Sequence, residues 1–110
     1  MTGKNSFEIG GRVVKFTYTV KDIIDLDNQI IVLLEIPYSD DEINNIYAYD
    51  KAGNKMWRVN TRFDDYGINK KLPFEIIRLI DGKLYATDFY GRRFQINLGN
   101  GQTISYDVVK

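Results

Sequence analysis

"NIYAYDKAGNKMWRVN", Asn45 to Asn60, is echoed 38 positions later by "KLYATDFYGRRFQINL", Lys83 to Leu98. In both stretches apolar and polar residues alternate, the period of a half-buried strand, and a glycine-bearing turn (Gly53, Gly91) divides the stretch in two. Each copy therefore predicts a hairpin. Extending each copy upstream adds a third strand: "IIVLLEI" before the first and "EIIRLI" before the second. The chain is then largely two three-strand antiparallel meanders. They differ in their first connection, the two residues Asp81-Gly82 in one and the long "PYSDDEINN" in the other.

The same period holds elsewhere, and no stretch sustains apolar residues at helical spacing. "FEI" meets Gly10-Gly11 and then "RVVKFTYTV", a hairpin signature, because paired glycines accept the positive φ of a tight turn. "IIDL" and "QIIVLLEI" join at Asp27-Asn28, and "RFQINL" turns through "GNG" into "QTISYDVV". About ten strands are expected. The fold class is all-β, with antiparallel meanders forming a compact sandwich or barrel. One domain, 1–110, comprises an N-terminal hairpin (about 6–20), a first repeat (about 23–60) and a second (about 74–108).

Ala48, Asp50, Gly53 and Trp57 resemble the A-x-D…G-x-x-x-W core of quinoprotein-type β-propeller blades, with a weaker copy in Ala86, Asp88 and Gly91. The chain departs from that pattern in lacking the usual threonine before the glycine, in a turn one residue shorter than the family's, and in placing Gln95 where the second tryptophan is expected. The resemblance implies a blade-like meander and no cofactor. Propellers need ~4–8 blades of about 40 residues, so this chain cannot close a ring alone. The pattern is also similar to small uncharacterised bacterial proteins with a comparable hairpin followed by a "KLYA" half. An abundance of isoleucine, asparagine and lysine agrees with a bacterial source.

Composition removes several chemistries. With no cysteine, thiolate nucleophiles, disulfides and cysteine-built zinc sites are excluded; with no histidine, so are the commonest general base and the commonest metal ligand. Fifteen basic and fifteen acidic residues cancel, leaving no field for a phosphate backbone or an anionic membrane. Residues 1–55 carry −3 and residues 56–110 carry +3, a polarity suited to steering a protein partner. No signal peptide or transmembrane segment is evident, so the chain reads as cytoplasmic.

The remaining polar clusters divide into structural and binding candidates. Asp50 and Asp88 hold equivalent positions at the start of a turn, where a carboxylate accepts backbone amides two residues on; that role explains their recurrence better than acid/base catalysis. Trp57 reads as a packing anchor of its hairpin. The acidic connection lacks the alternating register of a calcium loop, so no metal is expected there. Arg92-Arg93 with Phe89, Tyr90 and Phe94 are too few cations for a nucleic-acid platform.

Two long loops carry the aromatic and charged mixture of protein interfaces: Tyr38, Asp40, Asp41 and Glu42 in one, and Arg62, Phe63, Asp64, Asp65 and Tyr66 in the other. The expected function is a small protein-binding module, most concretely an immunity-type (toxin-neutralising) protein. It is expected to be monomeric, with no catalytic residue, cofactor or metal, and to bind neither nucleic acid nor membrane. One alternative is a small-molecule binder or carboxylate-based enzyme using Asp64, Asp65 or Glu75 in a cleft between the meanders. The other is a self-assembling unit pairing through its sheet edges.

Overall fold

The structure, a computed structural model, describes residues 5–108. It contains β1 (Ser6–Ile9), β2 (Arg12–Lys15), β3 (Val20–Asp25), β4 (Ile30–Leu34), β5 (Ile46–Tyr49), β6 (Lys55–Arg58), β7 (Phe74–Ile80), β8 (Lys83–Asp88), β9 (Arg92–Ile96) and β10 (Thr103–Val108). Among the described residues the one helical element is a 3-10 turn, Phe63–Tyr66, in the β6–β7 crossover. The strands form a two-stranded hairpin and two four-stranded antiparallel sheets, ordered β3-β4-β5-β6 and β10-β9-β8-β7. The protein is all-β and sandwich-like, not a closed barrel.

Both meanders are present, and their registers superimpose. Ala48 lies opposite Trp57 in the first and Ala86 opposite Phe94 in the second. Phe94, and not Gln95, is therefore the counterpart of the tryptophan. The offset is explained by a β-bulge at Met56, which puts one more residue between Gly53 and Trp57 than lies between Gly91 and Phe94. The turns also match. Asp50 Oδ1 accepts from the amides of Ala52 and Asn54, and Asp88 Oδ1 accepts from those of Tyr90 and Arg92. Asp81 and Gly82 have φ of 51° and 75°, the paired left-handed conformation of a type I′ hairpin turn.

The sheets enclose a core in which Ile31, Leu33, Ala48 and Trp57 meet Ile77, Leu84, Ala86, Phe94 and Ile96. The opposite face of the first sheet is covered as well. Val20, Val32, Leu34 and Tyr49 pack under Ile9 and Phe16, so the first sheet is a middle layer. That double cover explains why "IIVLL" in β4 is a continuous apolar run. The second sheet has one solvated face, and β8 and β9 alternate strictly.

Arg12 to Val20 is not one strand, as the sequence reading had it. β2 stops at Lys15, the buried Phe16 packs within 6 Å of Phe7, Tyr47 and Tyr49, and the chain then enters the first sheet at Val20. A single straight strand cannot lie both in the covering hairpin and in the sheet beneath it. The N-terminal hairpin is thus shorter than 6–20, and β3 starts ahead of the expected boundary at 23.

Two clamps tie the layers. At one side Asn60 bridges in parallel to Gln102: the Asn60 amide donates to Gly101 O (2.9 Å) and the Thr103 amide to Asn60 O (3.2 Å). At the other, the Asn45 side chain donates to Leu34 O and Phe74 O, both at 2.8 Å, and accepts from the Phe74 amide at 2.9 Å. Asn45 acts there as a one-residue strand, pairing the end of β4 with the start of β7.

Candidate functional site

The β4–β5 connection leaves the sheet after Leu34 and returns at Asn45, held at both ends by the clamp just described. Within it Glu42 accepts from the amides of Ile43 (2.9 Å) and Asn44 (3.0 Å) through one oxygen and from Arg58 through the other. Burial acts to raise the Glu42 pKa. The Asn44 amide and the Arg58 guanidinium overcome it and hold the carboxyl below its ordinary 4.5. Glu42 is a fixed anion and a brace for its loop.

That loop forms one part of a groove of about 520 Å³. Ile36, Pro37 and Ile43 supply apolar surface together with Leu72 and Pro73 of the crossover. Asp40, Asp41 and Glu42 line it from the β4–β5 connection, Lys70 and Lys71 from the crossover, and Phe89 and Tyr90 from the β8–β9 turn. Three aromatic rings around it face solvent: Tyr38 is 97% exposed, Phe89 68% and Tyr90 55%.

A buried ion pair assembles this arrangement. Asp88 Oδ2 accepts from Arg92 Nε at 2.7 Å, a second guanidinium nitrogen donates to Lys70 O at 2.6 Å, and the guanidinium sits 5.4 Å from the Tyr90 ring centre. Arg92 thus fixes both the crossover backbone at Lys70 and the tyrosine across the turn. Glu75 lies at the groove's end, paired with Lys21 at 2.9 Å.

The second predicted set lies elsewhere. Phe63 is 5% exposed and meets Phe94 edge-on, while Tyr66 packs on Phe94 and Tyr106 and donates to the Thr103 hydroxyl. Both aromatics belong to the core. Arg62 and Asp65 pair with each other at 2.7 Å, and with Asp64 they line a separate shallow depression of about 290 Å³. Only Lys71 lines both that depression and the groove. Tyr38, Asp40, Asp41 and Glu42 are therefore brought together, whereas Arg62, Asp64 and Asp65 do not join them. Asp64 and Asp65 are likewise outside the cleft assigned to them with Glu75.

Sequence reading missed Lys70, Lys71, Phe89 and Tyr90 as groove residues. A signal for the aromatics was present. The equivalent turn positions of the first repeat hold Lys51 and Ala52, so turn chemistry does not require Phe89-Tyr90, and nothing in the turn buries them. The lysines carried no comparable mark. No three acidic side chains gather as a metal site among the described residues, and no helix there is long and apolar enough to cross a membrane.

Glu42 makes the loop sensitive to acid. Because its folded pKa is depressed, its contribution is present above 4.5 and is lost as pH falls through the lower folded value. Glu42→Gln is expected to cost about 1 kcal/mol at pH 7, with the two denaturation midpoints converging in more acidic buffer. Urea titrations across that range check it, and a constant gap would refute it.

No curated protein matches the chain in a sequence comparison. Residues 2–108 match the family described as "Domain of unknown function (DUF7957)". The match takes in both meanders, the clamps and the groove, and the chain belongs to the DUF7957 family.

Proposed function

We propose that the protein is a small protein-binding module whose contact surface is the groove between the β4–β5 connection, the crossover and the β8–β9 turn. The observation that carries this reading is the ring of exposed Tyr38, Phe89 and Tyr90 around an apolar floor, with acidic and basic residues beside them. Aromatic anchors ringed by charge are the composition of binding hot spots. Exposed rings on braced loops add little to the fold and much to an interface. A toxin-neutralising role is the most concrete version, since blocking a partner needs surface complementarity and no catalytic group. The module acts as a monomer in this reading, and light scattering after gel filtration tests that.

The test is a partner recovered from the native host with the wild-type protein, purified and titrated back. Tyr38→Ala and Tyr90→Ala are each expected to weaken it by at least ~30-fold, about 2 kcal/mol, with the circular dichroism spectrum and Tm unchanged. Arg62→Ala and Asp65→Ala serve as controls. Should those surface variants abolish binding while the groove variants do not, the groove is the wrong face.

A second reading is favoured by the groove's size. About 520 Å³ lies in the range of small-molecule clefts, and Asp40, Asp41 and Glu75 are carboxylates in its lining. A thermal-shift screen with sugars, nucleotides and metals separates the two readings.

A further inference from the structure

A second cavity, of about 330 Å³, lies on the other face of the first sheet, beside the end of β2. Cross-strand register builds it. On that face Tyr47 stands opposite Arg58 and Tyr49 opposite Lys55, and the end of β2 adds Lys15. Arg58 and Lys55 both lie against the Tyr47 ring, at 5.2 and 5.8 Å from its centre. Three cations separated by up to 43 positions thus face one small space.

One carboxylate lines the cavity, Glu42, and it is already saturated by Arg58 and two backbone amides. No carboxylate among the described residues lies within ion-pair distance of Lys15 or Lys55. Tyr49 adds a hydroxyl whose pKa burial raises above 10.0, so it stays a donor. Asp40 acts on the Tyr18 hydroxyl and raises its pKa.

We infer that this cavity is a binding site for a phosphomonoester group, held by Lys15 and Lys55 against the Tyr47–Arg58 floor. Two unpaired cations match the charge of about −1.5 to −2 that such a group carries near pH 7, and a third, Arg58, is fixed in place beside them. A carboxylate would leave one lysine uncompensated. The phosphate can belong to a free small molecule or to a phosphorylated residue of a protein, and the chemistry at the site is the same.

The cavity shares Ile36 and Glu42 with the groove, but Lys15 and Lys55 line the cavity alone, so the two sites can be tested separately. The uniformly ¹⁵N-labelled protein is titrated with inorganic phosphate, phenyl phosphate, and a phosphoserine peptide beside its unphosphorylated twin. Saturable shifts of the Lys15, Tyr49 and Lys55 amides are expected with the phosphorylated probes and not with the bare peptide. The Lys15→Ala/Lys55→Ala double variant should weaken binding at least ~10-fold, and the milder Lys55→Gln in the same direction. Both lysines are exposed, so the fold is not at risk. Tighter binding of the peptide than of phenyl phosphate assigns the source to a protein, and the reverse to a small molecule. Tyr38→Ala and Tyr90→Ala should leave phosphate affinity intact, so failure of the groove reading leaves this site standing. Absence of saturable shifts, or equal affinity in the double variant, overturns it.

Discussion

Asn45→Asp is expected to destabilise the protein by about 3–5 kcal/mol, a large part of the 5–15 kcal/mol available to a domain of this size. Asn45 is 1% exposed, and its side chain makes three hydrogen bonds to backbone groups of Leu34 and Phe74. Aspartate is nearly isosteric but has no amide nitrogen. Two carbonyl oxygens would then face a carboxylate with no water between them. Asn45→Ala removes the same bonds without adding a charge, so it should cost less, about 2–4 kcal/mol. The aspartate's folded pKa would be raised, and its deficit should therefore shrink as pH is lowered, whereas the alanine variant shows no such trend. Urea denaturation of the three proteins at two pH values measures both effects. An aspartate variant within about 1 kcal/mol of wild type would mean that the clamp is dispensable.

Trp57→Ala should cost a similar ~3–5 kcal/mol through a different cause. The indole fills the space between the sheets, its Nε1 donates to Leu98 O at 2.7 Å, and Gly101 rests against its face. A Cβ built on Gly101 would stand 2.5 Å from Trp57 Cε3, so the backbone there lies directly on the indole and, as glycine, has no side chain to fill the space it leaves. The loss is a cavity together with an unpaired carbonyl. Trp57→Phe divides the two contributions: it keeps most of the burial, loses the hydrogen bond, and is expected to cost about half as much. Because Trp57 is the only tryptophan, circular dichroism must follow the unfolding. A phenylalanine variant as unstable as the alanine one would assign the whole effect to the hydrogen bond.

The strands and their turns were legible because both are local signals. Alternation marked β5, β6, β8 and β9, and Asp81-Gly82 marked its hairpin. Even the equivalence of the meanders could be read, apart from the bulge that shifts Trp57 against Phe94. What escaped depends on contacts between distant parts of the chain. Asn45 looks like any polar residue at a strand start, and only the arrival of Phe74, 29 positions on, makes it a clamp. Phe63 and Tyr66 sit in a polar stretch and read as surface, yet Phe94 and Tyr106 draw both inward. Half of the groove was named in advance, on the acidic loop. The other half comes from elements that the Asp88–Arg92 pair pulls together, and no spacing rule announces that.

The middle position of the first sheet also bears on how the chain is made. Synthesis runs from the N-terminus, so the hairpin and β3 to β6 leave the ribosome before β7 to β10 do. During that interval one side of the sheet is sheltered and the other, with Ile31, Leu33 and Trp57, stays bare. Nascent chains that have released β6 but not β10 should therefore be the species most readily captured by chaperones or lost to aggregation, and emergence of β7 to β10 ends the exposure.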